Sequence, residues 1–464
     1  MIASRGPDGL SGIFCAGGPI HRRQGPAQTW KSDRREGYTS DMALGLLLVL
    51  GAAGLAAAES SPDEALARLR ARVLDEAARV PNYTCVQTID RQFFATTATR
   101  APASCAGLGV ERSRPGYRIF LYGSDRFRLD VGVGRTGEVY SWAGAERFED
   151  RDLGDLIRGP SSTGAFATLL HMMFGVDAAE FSYRGRQTLD RRRLLAYSFR
   201  VPVSRSHYFL RGAPGSRRAV AYRGTILVDP ETADLARLDI RIDDPPSESN
   251  LCEFSASLDY GRTQIGAAGF LLPKAARQRF VMPSRLETES TVAFSACREF
   301  KAESAVRYED PAAAQPAGGN EPAVPEPLKI PAGLPVAVGL TAAIDSGAAA
   351  AGDAFAGSLM EPLEDQRGNT LAPRGTAVRG RVMRVERYAN PASVQIGLTL
   401  EAIEIGGVAL PFHAIPRDAG SKARTAPREL LPYAPENDFL VIQLPGDHRV
   451  LRPGNRTEWV TATP

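Results

Sequence analysis

Histidine and cysteine are scarce in this chain, five of each in 464 residues, and the familiar catalytic signatures are missing. There is no G-x-S-x-G, no H-E-x-x-H and no P-loop. The sequence therefore offers no nucleophile elbow, no zinc-protease helix and no phosphate cradle. C-x-x-C is absent too, and the histidines do not cluster near the cysteines, which argues against a zinc site. No catalytic, cofactor-binding or metal-binding residue is nominated. No apolar run reaches the roughly 20 residues that a spanning helix needs. The run from Ala43 to Leu55 stops on Ala56-Ala57-Ala58-Glu59, where the small side chains suit a signal peptidase. The expectation is a periplasmic or secreted protein, cut near Ala58, with no transmembrane anchor. Without a lipobox cysteine at that cut, a lipid anchor is not expected either.

Residues 1–41 lack a periodic apolar face and precede Met42; they read as a mis-called start or a long n-region. Beyond a leader over 1–58, about 400 residues remain, enough for two domains. The cysteines left are Cys85, Cys105, Cys252 and Cys297, an even number, which in an exported chain points to two disulfides. The expected pairs are Cys85 with Cys105 and Cys252 with Cys297. Each closes a hairpin-sized or meander-sized loop, worth roughly 3 to 4 kcal/mol in the loop-entropy model.

Ser61-Pro62-Asp63-Glu64 has the form of a capping box with proline in the first turn, and Leu66, Leu69, Val73, Leu74, Ala77 and Val80 follow at helical spacing until Pro81. Thereafter the period becomes two. Phe127, Leu129, Val131 and Val133 alternate with Arg126, Arg128, Asp130 and Gly132, and Leu238, Ile240 and Ile242 alternate with charges in the same way. Half-buried antiparallel strands follow, joined by turns such as Asp229-Pro230-Glu231-Thr232 and Gly266-Ala267-Ala268-Gly269. A second, short helix is expected over Gly164 to Phe174, capped by Ser161-Ser162-Thr163. Five prolines between Glu309 and Pro327 make a semi-rigid linker. After it, strands return at Val336–Leu340, Thr376–Val385 and Val394–Ile405, the last with a bulge near Ala402 where the alternation slips by one. The predicted fold is mainly β: a large curved antiparallel sheet or half-open barrel over 59–308 with an N-terminal and a short internal helix, a linker over 309–327, and a smaller barrel-like β domain over 328–464.

Several features read as structure rather than chemistry. Gly132 to Gly137 spells G-x-G-x-x-G, but strand-like sequence follows it where a dinucleotide site needs a helix, so it is taken as a hairpin turn. His171 is expected to pack beside Met172 and Met173, whereas His207, His413 and His448 have no obvious carboxylate partner at local spacing. Glu146, Glu149, Asp150, Asp152 and Asp155 form an exposed acidic turn without the punctuated loop of a calcium site. Net charge is only +3, yet Arg184 to Arg223 holds eleven arginines against one acid, Asp190. That cluster is read first as a solvated strand face, with anion binding through guanidinium forks as the alternative.

The order of N-terminal helix, Asn82-Tyr83-Thr84-Cys85, long meander, internal helix and Val228-Asp229-Pro230-Glu231-Thr232 is similar to uncharacterised secreted bacterial proteins. Over Ser61 to Tyr308 it also resembles the periplasmic lipoprotein-carrier fold of the LolA and LolB type, which implies an apolar surface that holds acyl chains under a helical lid. Pro331-Ala332-Gly333-Leu334-Pro335-Val336, Ile344-Asp345-Ser346 and Ala372-Pro373-Arg374-Gly375-Thr376 resemble the periplasmic barrel of VirB10 and TrbI-type secretion scaffolds.

The function expected is an exported, non-enzymatic envelope or secreted protein that binds an apolar ligand, a lipid or lipoprotein acyl chain, with Phe127, Leu129, Leu169 and Met173 as lining. The same four residues would also fill an ordinary core. The C-terminal domain would meet an envelope protein partner, and no cofactor or nucleic acid is expected. One alternative is a structural module with no small ligand, whose linker sets the separation of two interaction surfaces. The other is a hydrolase with dispersed catalytic residues.

Overall fold

The computed structural model describes residues 61–96, 104–134, 137–145, 148, 153–211, 217–300, 330–417 and 439–463. The leader, the Pro-rich linker and the acids Glu146, Glu149, Asp150 and Asp152 lie outside them. Helix α1 (Pro62–Arg79) begins as the sequence predicts: Ser61 accepts from the Glu64 amide, and the Glu64 carboxylate accepts from the Ser61 amide. It buries Ala65, Leu69 and Val73.

Strands β1 (Tyr83–Thr96), β2 (Ile119–Gly134), β3 (Gly137–Trp142), β4 (Glu180–Leu189) and β5 (Arg192–Val201) are followed by a small ribbon of β6 (Phe209–Arg211) and β7 (Arg217–Ala219). Then come β8 (Tyr222–Val228), β9 (Leu235–Ile242), β10 (Glu253–Ile265), β11 (Ala268–Val281) and β12 (Glu287–Glu299). The large antiparallel sheet runs β3-β2-β1-β12-β11-β10-β9-β8-β5-β4. Its turns match the sequence chemistry. Gly134 pairs with Gly137 across a two-residue hairpin, and the Asp229 carboxylate accepts from the amides of Glu231 and Thr232. Short helices α2 (Cys105–Arg112), α3 (Leu153–Leu156) and α4 (Ala167–His171) complete this half, α4 running into a π-turn over Met172–Val176.

Two expectations require correction. The disulfides are Cys85–Cys297 and Cys105–Cys252, not Cys85–Cys105 and Cys252–Cys297. The reason is strand order: β1 lies between β2 and β12, so Cys85 faces β12 where the register slips between Thr84↔Arg298 and Val86↔Ser295. Cys105, the first residue of α2, reaches the chain just before β10. Nor is α4 capped by Ser161-Ser162-Thr163, since its first turn has no side-chain cap. The half-buried Glu138 carboxylate on β3 instead accepts from the Gly164 and Phe166 amides and from the Tyr140 hydroxyl. Burial raises its carboxyl pKa, while these three donors offset part of that rise.

The C-terminal half contains β13 (Pro335–Leu340), β14 (Ile344–Asp345), β15 (Ala354–Leu359), β16 (Leu363–Glu364), β17 (Thr370–Ala372), β18 (Ala377–Ala389), β19 (Ala392–Ile405), β20 (Val408–Pro411), β21 (Ala414–Pro416), β22 (Leu440–Pro445), β23 (Val450–Leu451) and β24 (Arg456–Thr461). The pairings run β20-β19-β18-β15-β13-β24-β21, a barrel-like circuit interrupted between β20 and β21. The expected bulge is present: Gly380 faces Leu400 and Arg379 faces Ala402, leaving Glu401 extra. Buried apolar residues form two large clusters, one spanning Ala65 to Phe294 plus Ala351, the other Leu334 to Trp459.

The two halves touch directly. Gly123, Ser124 and Asp125 of β2 pair with Tyr388, Arg387 and Glu386 of β18, and Ala351 exchanges backbone hydrogen bonds with Arg126 and Arg128. The Arg126 and Arg128 guanidiniums of β2 donate to the Gly347 and Ala348 carbonyls, and Arg381 of β18 donates back to the Ala143 carbonyl. The two halves are thus joined by paired strands. Gly352 lies at the closest approach, with φ of +105°, and a Cβ there would stand 2.0 Å from the Arg128 carbonyl oxygen. Gly352→Ala is expected to cost at least about 1 kcal/mol in denaturant unfolding, because both the backbone conformation and the contact must shift. An unchanged midpoint would show that this contact is dispensable.

Candidate functional site

The face of the large sheet under α1 and α4 is the candidate site. Helix α1 is amphipathic, so one edge offers apolar groups to the sheet and the other offers charges to its rim. On the polar edge, Arg68 donates to the Glu231 carbonyl at 2.8 Å, and Arg72 donates to the Thr232 carbonyl at 2.5 Å and to Asp234 at 2.7 Å. Arg262 of β10 then joins Asp234 at 2.6 Å to Glu76 of α1 at 2.5 Å, while Glu76 accepts from the Leu271 amide at 2.9 Å. Burial pushes the Asp234 carboxyl up, but hydrogen bonds from Arg262 and Arg72 outweigh it and hold the group below the usual carboxylate range. The Arg262 guanidinium is correspondingly raised, first by its hydrogen bond to Asp234.

On the apolar edge, Val73, Ala77 and Val80 line a cavity of about 20 Å³ with Leu170, Phe270 and Leu272. That is room for about one water molecule. The four residues expected to line a ligand site, Phe127, Leu129, Leu169 and Met173, all lie in the first cluster at 4 % exposure or less. Phe127 also carries the Arg91 guanidinium 4.8 Å above its ring. In this conformation the face is packed, and a ligand would enter only by displacing a helix.

Two histidine pairs were not visible in the sequence. His207 Nδ1 lies 2.7 Å from Asp177, whose other oxygen accepts from the Tyr222 hydroxyl at 2.7 Å. His448 Nε2 lies 2.6 Å from Asp345. The partners are 30 and 103 residues apart, beyond any local spacing rule. Among the described residues, no hydroxyl or thiol is hydrogen-bonded to either ring. His171 is exposed rather than packed, whereas its neighbours Met172 and Met173 are buried.

No family profile matches this chain, and no curated protein matches it. Solved structures similar to about half of it include a DUF1329 family protein from Desulfovibrio piger, 11 % identical, covering 53 % of this chain and 96 % of its own, with a TM-score of 0.26. A putative outer membrane lipoprotein-sorting protein domain from Vibrio parahaemolyticus is 9 % identical and covers 52 % of this chain and 93 % of its own, with a TM-score of 0.25. Likenesses at this level carry no argument from fold to function, and nothing in them supports the VirB10 and TrbI-like reading of the C-terminal half. The two disulfides suggest an extracytoplasmic protein. No helix among the described residues is long and apolar enough to cross a membrane.

Proposed function

We propose that the protein is a non-catalytic binding protein of the cell envelope or its exterior, in which α1 is a displaceable cover over an apolar site for an acyl chain. The supporting observation is the division of labour on α1. Its hold on the rim of the sheet is a polar latch through Arg68, Arg72 and Glu76, whereas beneath it Leu170, Phe270 and Leu272 leave only a small void. Releasing the latch exposes a continuous apolar face to which Leu169 and Met173 belong. Partly exposed ion pairs are individually weak, so the latch adds little to the cost of opening, most of which is the exposure of Leu69 and Val73.

Fluorescent fatty-acid titration of the full chain tests this reading. Arg262→Ala, which removes the link between Asp234 and Glu76, is expected to speed uptake several-fold, and lipid is expected to co-purify with protein taken from its own envelope. The sign of the pH dependence follows from Asp234. Its folded pKa is depressed, so the latch is complete above the unfolded value of about 3.9 and is lost as pH falls through the lower folded value. Uptake should therefore accelerate only in acid. Absence of bound lipid together with no fatty-acid binding by either protein would end the proposal.

One observation favours a second reading, a rigid two-part module that binds a protein partner and no small ligand: the β2–β18 pairing welds the two halves at Asp125 and Glu386. Crosslinking in intact cells separates it from the first. Recovery of monomer alone counts against it.

A further inference from the structure

The sheet face opposite α1 carries a row of like charges that folding alone does not call for. Arg200 of β5 stands directly across from Arg223 of β8, which stands directly across from Arg241 of β9. The same row continues through Ser255 of β10 to Arg279 of β11. Neighbouring strands lie about 4.8 Å apart, so the three consecutive guanidiniums span roughly 10 Å on one line. Like charges in directly opposed positions destabilise a sheet. Arg223 and Arg279 are compensated, by Asp243 and by Glu253 and Glu287. Arg200 also faces Glu180 of β4, which is paired with Arg205, and neither Arg200 nor Arg241 has an ion-pair or hydrogen-bond partner among the described residues.

Beside this row, two residues along the strands and so on the same face, lies a second. Ser198 faces Thr225, Thr225 faces Asp239, Asp239 faces Ser257, and Ser257 faces Arg277. Both rows floor an open groove of about 1330 Å³. Its apolar members, Phe199, Ile240 and Ala256, are buried and point to the other side. The groove thus presents seven guanidiniums against five carboxylates, a net positive lining, with hydroxyls between them and no exposed aromatic or aliphatic side chain.

We infer that this groove binds an extended anionic polysaccharide, a sugar chain bearing carboxylate or sulfate groups. Guanidinium forks match such oxyanions in bidentate geometry, and the polar side chains of the second row match the sugar hydroxyls between them. The strand spacing repeats the charges at intervals comparable to successive sugars of an extended chain. Single-stranded nucleic acid fits less well, because its binding surfaces stack bases on aromatic side chains and none is exposed here. A membrane surface fits less well for want of apolar anchors along the groove. The inference is independent of the acyl-chain reading, since it uses the opposite face of the sheet.

The test is calorimetric titration of the full chain with an oligogalacturonide and a sulfated heparin oligosaccharide, against a neutral cello-oligosaccharide of equal length, phosphatidylglycerol vesicles and an oligothymidylate. At least one acidic oligosaccharide should bind with a salt-dependent affinity at least tenfold above every control. Arg200→Ser combined with Arg241→Ser should weaken that binding tenfold or more while leaving the melting temperature unchanged or higher, because it relieves uncompensated repulsion. Failure of both acidic oligosaccharides, equal or tighter binding of vesicles or oligothymidylate, undiminished binding by the double variant, or a fall in its melting temperature would each overturn the inference.

Discussion

Arg91→Met is expected to lower the unfolding free energy by about 3–5 kcal/mol, the range for stranding one member of a buried ion pair. Arg91 on β1 and Asp125 on β2 are register partners, and their side chains are 0 % and 2 % exposed. The guanidinium forks onto the carboxylate through Nε at 2.9 Å and Nη2 at 2.6 Å, and its Nη1 donates to the carbonyls of Arg158 and Pro160 at 2.8 and 3.2 Å. Phe93 and Phe127 sandwich its plane at 5.4 and 4.8 Å. Without Arg91, two loop carbonyls lose their donor and Asp125 is left facing Glu386 across the β2–β18 junction. Burial already pushes the Glu386 carboxyl up, and the Asp125 charge adds to that, offset by Arg384, Tyr388 and Arg91. The damage should therefore reach the C-terminal half as well. Urea unfolding of Arg91→Met, Asp125→Leu and the double variant checks this, and the double variant should recover most of the loss because no charge is stranded. A single-variant loss below about 1 kcal/mol would refute the account.

Removing either disulfide should cost a comparable amount. The bonds close spans of 212 and 147 residues, each worth about 5 kcal/mol in the loop-entropy model, more than the local pairs read from the sequence. Because the second span is nested inside the first, the two losses will not add. With whole-protein stabilities of about 5–15 kcal/mol, either loss leaves a marginal fold. Cys85→Ala with Cys297→Ala, and Cys105→Ala with Cys252→Ala, should each shift the urea midpoint strongly. Non-reducing peptide mapping should recover Cys85 joined to Cys297. A peptide joining Cys85 to Cys105, or shifts worth less than about 1 kcal/mol, would contradict the structure.

The disulfides also show where sequence reasoning stopped. An even set of cysteines behind an apolar leader was enough to expect two bonds, but choosing partners by nearness in sequence assumed a simple meander. The chain instead inserts β1 between β2 and β12, which brings Cys85 to a residue more than two hundred positions away. The candidate site followed the same pattern. That Leu169 and Met173 are apolar and face inward was legible from their spacing. That α1 is latched by Arg262 and Asp234, and that Glu138 rather than a local serine satisfies the amides before α4, was not, because each of those contacts joins distant elements. The arginine row was half visible: the cluster from Arg184 to Arg223 stands out, yet Arg241 enters it only through the pairing of β8 with β9.

By itself, then, the chain determined its local states: the capped α1, the alternating strands, the turns at Asp229 and Gly266 and the bulge after Leu400. These depend on backbone geometry and hydrogen bonds a few residues in reach. Tertiary structure alone decided which strands are neighbours, hence which cysteines bond, which carboxylates meet His207 and His448, how the halves join, and which arginines share a row. Strand pairing is stabilised by contacts between residues far apart in sequence, and a period of two says which face a side chain takes without saying what lies beside it.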